Sequence, residues 1–359
     1  MEDWWWHARV QKKGSNSDCK PRQERPKRLI RKVSSATQRD GLPRESTRHS
    51  RKPNLKYTPC SATPHMALVR NWLPPSRENW ELVCWIWQFF PLVTTFQWLI
   101  DWYPQGKTSS DSRFNLPGKW AWATMEAPGF LTLLYIMFTL PKERGIAELP
   151  WGNWIMAGLF FFLSIKQTTH YLYRALLAPL VLNPSMSPIH PLVWALAVCF
   201  QLTNAISIGG WLAGYGPTTV HGWAGRLYTM EIGMVIWGWG LLANIFHDDD
   251  LREIRRAADR RQRREAEESG KPREKVDKIY MMPKNGLFRY ILYAHYFCEW
   301  IEWAGFWIVG GWNCTPARSF LLNEIATMLP RALQGRRWYV ERFGRDNVGN
   351  RKAVIPGLL

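Results

Sequence analysis

The residues of this chain that could do chemistry are carboxylates, amides and arginines at helical spacing inside or beside apolar segments. Asn244 and Asp248 are one i, i+4 step apart at the end of an apolar run, and Arg252 and Arg255 continue along the same face. Such a stripe can bind an anionic ligand that also forms hydrogen bonds. It is equally compatible with an ordinary helix end whose charges are solvated or paired with one another.

A second set of ionisable residues lies within an apolar segment further along the chain. His295 and Glu299 are one i, i+4 step apart, and Glu302 follows one turn later. An ionisable side chain at membrane depth costs about 2.5–3.5 kcal/mol even on a lenient insertion scale, so two carboxylates in lipid would be unstable. The pattern therefore favours a polar cavity, and Arg331 and Tyr339 flank the next apolar segment.

A third set comes earlier in the chain. Glu126 lies at the entry to an apolar segment, and Tyr171 lies one helical turn from Arg174. A protonated carboxyl and a tyrosine hydroxyl can both donate hydrogen bonds, so together they would suit the carbonyl oxygen of a substrate. Buried tyrosines and glutamates at a membrane edge also often have purely structural partners, and the spacing by itself leaves that alternative open.

The elements that must position these residues are membrane helices. Apolar stretches near the ~20 residues needed to cross a bilayer recur along the chain, and Trp and Tyr cluster at their ends, where amphipathic rings favour the headgroup region. The predicted spans are 82–101, 120–140, 152–173, 191–212, 228–246, 287–310 and, less apolar, 319–334. The predicted fold is an all-α integral membrane protein, a bundle of about seven transmembrane helices.

Charge is concentrated outside these spans. The net charge is +18 at pH 7, and the N-terminal tail is rich in Ser, Pro, Arg and Lys. This composition predicts a disordered tail that associates with anionic lipid if with anything, and nucleic acid is not predicted as a partner. The predicted divisions are a basic disordered tail at 1–75, a first transmembrane helix and linker at 76–117, and a membrane catalytic domain at 118–359 with a charged cytosolic loop at 249–284.

Two common classes of site are missing from the sequence. The six cysteines are scattered without metal-ligand spacing, so neither a metal site nor a disulfide framework is predicted. A glycine-rich dinucleotide fingerprint and a P-loop are both absent from the sequence as well. A nucleotide would therefore bind without a Rossmann domain.

A series of short motifs runs through the last two thirds of the chain. They are WAWATMEAPG, HYLYR, NIFHDDDLREIRR, the segment YMMPKNGLFRY, AHYFCEWIEWAGF, RALQGRRWYVERFG and the terminal RKAVIP. In this order they resemble the steroid 5α-reductase family over about 118–359, and the stretch SMSPIHPLVWALAVCFQLTNAISIGGWL resembles fungal members. The resemblance implies a seven-helix membrane reductase that uses NADPH to reduce the C=C bond of an α,β-unsaturated carbonyl lipid, typically a 3-oxo-Δ4-steroid.

The resemblance also implies roles for individual residues. It matches Glu126 and Tyr171 to the pair that holds the carbonyl oxygen of the substrate. It matches a larger set to the NADPH site: Asn204, Asn244, Asp248, Arg255, Tyr280, His295, Glu299, Arg331 and Tyr339, with Arg174 and Arg252 as further candidates. The arginines would face the cofactor phosphates, which guanidinium groups bind in a bidentate manner, and the substrate would enter from the bilayer.

Two places depart from the family pattern. Met125 stands where relatives have a glutamine before the glutamate of the substrate pair, so a hydrogen bond on the substrate side is lost or replaced. Gly335, Arg336 and Arg337 stand where relatives have histidine. The residues that close the cofactor end of the site must then differ from those of relatives, although an arginine can also bind a phosphate.

Several alternative functions remain open at this point. The substrate of such a reductase could be a polyprenal or a trans-2-enoyl-CoA, because related reductases that act on these substrates share the cofactor-binding half of the domain. A membrane methyltransferase that uses S-adenosylmethionine also has a cytosolic cofactor pocket at a C-terminal helix pair. A non-catalytic lipid-binding relative would explain the two departures. The favoured prediction is a reductase of the endoplasmic reticulum membrane whose C-terminus lies in the cytosol, in line with the positive-inside rule.

Overall fold

The structure is a computed structural model that describes residues 71–100, 112–161, 172–183, 185–270 and 280–359. Over these residues the chain is helical and has isolated β-bridges but no β-strand. The elements are, in chain order, α1 (Arg77–Gln88), α2 (Phe90–Thr94), α3 (Phe96–Leu99), α4 (Gly118–Glu143), α5 (Trp151–Phe161), a π-helix (Leu172–Leu182), α6 (Pro191–Gly210) with a π-helical continuation (Trp211–Tyr215), α7 (Val220–Trp223), α8 (Leu227–Ser269), a 3-10 helix (Gly286–Arg289), α9 (Ala294–Gly310), α10 (Thr315–Phe343) and α11 (Arg345–Val348).

Three of these helices are long and apolar enough to cross a membrane, namely α4, α6 with its continuation, and α8. A fourth span results if α1 and the segment Phe90–Leu99, which meet at a bend of 41°, count as one. The all-α class with apolar helices of membrane length therefore agrees with the sequence. The number seven stays a prediction, because α9 has only 17 residues and α10 carries many charged residues. The predicted disordered tail, apart from 71–75, and part of the predicted span 152–173 lie outside the described residues.

Helix α8 is far longer than a bilayer is thick. Its 43 residues correspond to about 65 Å at ~1.5 Å per residue, roughly twice the ~30 Å hydrocarbon core. The apolar first half therefore fits a membrane, and the charged second half must project beyond it. The charged segment predicted from residue 249 is helical as far as Ser269.

Helices α8 and α9 pack with their backbones in close contact. A Cβ atom at Gly240 would lie 2.4 Å from the backbone nitrogen of Glu302, and one at Gly305 would lie 2.3 Å from the backbone nitrogen of Trp237. Neither position accepts a larger residue unless the helices move apart, a pattern typical of membrane helices that meet through small residues. The close approach lets polar side chains of the two helices reach each other.

An aromatic cluster joins α5, α9 and α10. Phe160, Trp303, Phe306 and Phe320 are all completely buried. The rings of Trp303 and Phe320 meet edge to face with centroids 4.5 Å apart, an arrangement worth about 0.5–1.5 kcal/mol beyond the burial of its area. The cluster fixes α9 relative to α10, and both helices carry candidate site residues.

The segment before α9 is a tight turn held against α8. The backbone nitrogen of Leu287 donates to His247 Nε2 at 3.0 Å, so the proton of this buried ring lies on Nδ1 and is donated to the carbonyl oxygen of Ala243 at 2.6 Å. Gly286 adopts a positive φ of 54° at the start of the turn. The predicted span 287–310 therefore begins too early, because this turn delays the start of α9 to Ala294.

Gly240→Ala is expected to destabilise the protein, because its methyl group would meet the backbone of Glu302. Overpacking of this kind costs about 1–3 kcal/mol and would lower the thermal midpoint in detergent by several degrees. The matched control is Gly238→Ala on the same helix, where a new Cβ meets no neighbouring atom within 4 Å. It should leave the midpoint unchanged or raise it slightly, since alanine favours a helix. Equal midpoints for the two variants would contradict the packing role of Gly240.

Candidate active site

An ion pair between the π-helix and α9 forms the centre of the candidate site. Arg174 Nη1 donates to Glu299 Oε2 at 2.5 Å, and the side chains are only 17% and 4% exposed. Asn244 of α8 donates from Nδ2 to the same carboxylate oxygen at 3.3 Å and to the backbone oxygen of His295 at 3.1 Å. Candidate residues from three elements that are distant in sequence therefore meet at one point.

Further carboxylates surround this ion pair. Arg174 interacts electrostatically with Asp248, Glu126 and Glu324 in addition to Glu299. Glu324, on α10, was not among the residues predicted from sequence. It is a lone carboxylate in a moderately apolar stretch, and the one available signal was the predicted Arg331 seven residues later, two turns along the same helix face. The site therefore contains one more acidic group than the sequence patterns indicate.

A second polar contact joins α4 to α6. Gln201 Nε2 donates to Glu126 Oε2 at 2.5 Å. Gln201 is buried, with only 7% of its surface exposed. Gln201 was also missed at the sequence level. The only available signal was its position three residues before Asn204, which places both residues on one face of a helix.

Asn204 lies on the same face of α6 as Gln201, and its side chain is buried without a hydrogen bond to any described residue. It is completely buried, and neither its amide oxygen nor its amide nitrogen has a hydrogen-bond partner among the described residues. A buried polar group left unsatisfied costs about 1–3 kcal/mol. A ligand with its own donor and acceptor could satisfy both ends of this amide.

The two predicted arginines in the charged half of α8 have different environments. Arg252 is buried at 3% exposure and forms an ion pair with Asp249, whereas Arg255 is exposed. Arg255 and Tyr280 both interact electrostatically with Tyr339, which is buried on α10. The interpretation that both arginines continue one equivalent face is thus too simple, because Arg252 is buried and Arg255 is solvent-exposed.

The other predicted residues of this end lie on α9 and α10. The guanidinium carbon of Arg331 lies 5.8 Å from the ring centroid of Tyr296, within the range of a cation–π interaction. Arg331 also interacts electrostatically with Glu324, which links it to the surroundings of Arg174. Tyr171 lies outside the described residues, so its place in the site stays a prediction.

The two departures from the family pattern have structural explanations. Met125 is buried in an apolar cluster with Ala121, Ile189 and Val193. A Cβ atom at Gly335 would lie 1.6 Å from the hydroxyl oxygen of Tyr293. The tyrosine ring therefore fills the space that a larger residue at position 335 would need.

Arg336, the second residue of that departure, has a defined structural contact. Its Nε donates to the backbone oxygen of Arg351 at 3.0 Å. This bond ties α10 to the C-terminal segment of the chain. At least one of its donors is therefore engaged within the protein rather than offered to a phosphate.

Comparison with known proteins gives a consistent result. A sequence profile of the family described as 3-oxo-5-alpha-steroid 4-dehydrogenase matches residues 187–359. A steroid 5-alpha-reductase of Solanum lycopersicum is 31% identical over 75% of this chain and 92% of its own length. The 3-oxo-5-alpha-steroid 4-dehydrogenase 1 of Bos taurus is 30% identical over 71% and 88%, and an uncharacterized protein of Schizosaccharomyces pombe is 33% identical over 71% and 91%.

Glu299→Ala is expected to destabilise the protein strongly, because it leaves the buried Arg174 without its nearest carboxylate. Breaking a buried ion pair by removing one partner costs about 3–5 kcal/mol, measurable as a shift of the unfolding midpoint in mixed detergent micelles. The control is Glu81→Ala, which breaks the exposed Arg77–Glu81 pair at 2.8 Å and should cost less than about 1 kcal/mol. Similar shifts for both variants would contradict the structural importance of the buried pair.

Proposed function

This chain belongs to the 3-oxo-5-alpha-steroid 4-dehydrogenase family, and on that premise we propose that it uses NADPH to reduce the C=C bond of an α,β-unsaturated carbonyl lipid. The family makes it an oxidoreductase, and the proposed substrate is a 3-oxo-Δ4-steroid, reduced to the 5α-steroid. The observation that carries the proposal is the convergence of Glu126, Arg174, Asn244 and Glu299 from four elements among membrane-length apolar helices.

The substrate side of the proposed site consists of Glu126 and Tyr171. Both would donate hydrogen bonds to the carbonyl oxygen, on which negative charge accumulates as a hydride reaches the β-carbon. A preorganised donor of this kind in a water-poor site is worth about 3 kcal/mol to the transition state. When bound, the reduced nicotinamide supplies the hydride with both of its electrons. A proton taken up at the α-carbon completes the reduction.

The described residues fit this cofactor in two respects. The buried and unsatisfied amide of Asn204 suits a ligand that both donates and accepts hydrogen bonds. The exposed guanidinium group of Arg255, which interacts electrostatically with Tyr339, suits a phosphate group. The proposed cofactor residues are Asn204, Asn244, Asp248, Arg252, Arg255, Tyr280, His295, Glu299, Arg331, Tyr339 and Arg174.

The proposed location is the endoplasmic reticulum membrane, with residues 249–284 and the C-terminus in the cytosol. The support is the arginine-rich half of α8, which extends beyond the thickness of a bilayer and follows the positive-inside rule if it is cytosolic. A lipid-soluble substrate would then enter from the bilayer, while the cofactor would enter from the cytosol. Nucleic acid is not proposed as a partner.

The substrate proposal is tested by incubating the detergent-solubilised protein and NADPH with a 3-oxo-Δ4-steroid, a polyprenal or a trans-2-enoyl-CoA. The products are identified by mass spectrometry. We expect a gain of two hydrogens on the steroid. Reduction of another enone alone would contradict the steroid as substrate but retain the chemistry. Binding of S-adenosylmethionine in place of NADPH, or NADPH binding without any turnover, would contradict a reductase.

Glu126→Gln and Tyr171→Phe are each expected to lower kcat on the order of a hundredfold, because each weakens or removes one donor to the developing charge. The affinity for NADPH, measured by equilibrium binding, should change less than about twofold, since neither residue is assigned to the cofactor. The matched control is Glu143→Gln, which changes an exposed carboxylate on the same helix as Glu126 and should retain wild-type kcat. Wild-type kcat in either of the first two variants would contradict the substrate assignment.

A further inference from the structure

Helices α4 and α6 pack tightly against each other beside the proposed substrate carboxyl. A Cβ atom at Gly129 would lie 2.7 Å from Gln201 Oε1 and 3.3 Å from Gln201 Cβ. Gly129 comes three residues after Glu126, so the two face a similar direction on α4. The missing side chain at Gly129 is what leaves room for the Gln201 amide between the helices.

The amide is placed so that it controls one oxygen of the carboxyl group. Gln201 Nε2 donates to Glu126 Oε2 at 2.5 Å. Because an amide N–H can only donate, Oε2 must act as an acceptor. A proton carried by this carboxyl is therefore directed to the other oxygen, Oε1. A carboxyl that donates to a substrate must have its proton on a known oxygen, and this contact selects that oxygen.

The residue before Glu126 cannot take this role. Met125 has no donor, and it is buried in the apolar cluster with Ala121, Ile189 and Val193. We infer that Gln201 is a positioning residue for the proposed reduction, acting through Glu126, and that it provides from α6 the amide that is missing at position 125. This inference rests on the proposed function, because it assigns the orientation of a carboxyl that the proposal places at the substrate.

The competing interpretation is that the Gln201–Glu126 contact only holds two helices together, as polar residues often do in membranes. The two interpretations differ in a double-mutant cycle. A residue that acts through Glu126 has no effect of its own once Glu126 can no longer donate as a carboxyl. A residue that only stabilises the helix pair contributes independently of the chemistry of Glu126.

The experiment measures steady-state kinetics of Gln201→Met alone and in combination with Glu126→Leu. Methionine retains the length of the side chain but cannot donate. We expect Gln201→Met to lower kcat on the order of ten- to a hundredfold, as for a misplaced catalytic group, with NADPH affinity within about twofold of wild type. In the Glu126→Leu background, where position 126 can neither accept from Gln201 nor donate to a substrate, the same substitution should cause no further loss of kcat.

A second variant disturbs the Gln201–Glu126 hydrogen bond without changing either residue. Gly129→Ala places a methyl group 2.7 Å from Gln201 Oε1 and 3.3 Å from Gln201 Cβ, so the amide should move away from Glu126. Its kcat should fall as in Gln201→Met. The control on α6, the helix of Gln201, is Thr203→Val. It removes a hydrogen bond to the Cys199 carbonyl within that helix and should retain wild-type kcat.

The outcomes separate this inference from the proposed function. Wild-type turnover of a steroid together with wild-type kcat in Gln201→Met overturns the inference and leaves the proposed function intact. Multiplicative losses in the double mutant, accompanied by a lower thermal midpoint, overturn it in favour of a structural contact. A wild-type protein that binds NADPH but reduces no enone overturns the proposed function and the inference with it.

Discussion

A buried guanidinium needs a carboxylate, and in this protein the pairing of Arg174 with Glu299 meets that need. An ion that leaves water without a partner costs several kcal/mol, so the π-helix cannot move away from α9 without a large penalty. Asn244 donates to the same carboxylate and includes α8 in the constraint. The interaction that holds these three elements together also gathers the polar groups of the proposed site.

Glycines make these polar contacts possible. Gly240 lies one turn before Asn244 and brings α8 onto the backbone of α9, and Gly129 lies one turn after Glu126 and admits Gln201 between α4 and α6. In an apolar medium there is no hydrophobic force between helices, so close packing and hydrogen bonds must hold them. The Gln201–Glu126 contact and the contact of Asn244 with Glu299 therefore each lie beside a residue that has no side chain.

The departures at Met125 and Gly335 each have a structural counterpart in another element. Met125 packs into an apolar cluster, while an amide from α6 contacts the neighbouring carboxyl. At Gly335 the Tyr293 ring occupies the space of a larger side chain. At both positions the residue differs from the family pattern, and a side chain from another element lies beside it. Such contacts between distant elements are visible only in the tertiary structure.

Periodicity determined which residues share a face of one helix, because residues four apart lie one above another. On that basis the sequence alone placed Asn244 with Asp248, and His295 with Glu299, and its apolar stretches determined the all-helical membrane class. The pairs Arg174–Glu299 and Glu126–Gln201 are 125 and 75 residues apart, and local spacing carries no information about which helices face each other. The turn that delays α9, the burial of Arg252 and the participation of Gln201 and Glu324 were therefore decided only by the tertiary structure, since each depends on how neighbouring elements pack.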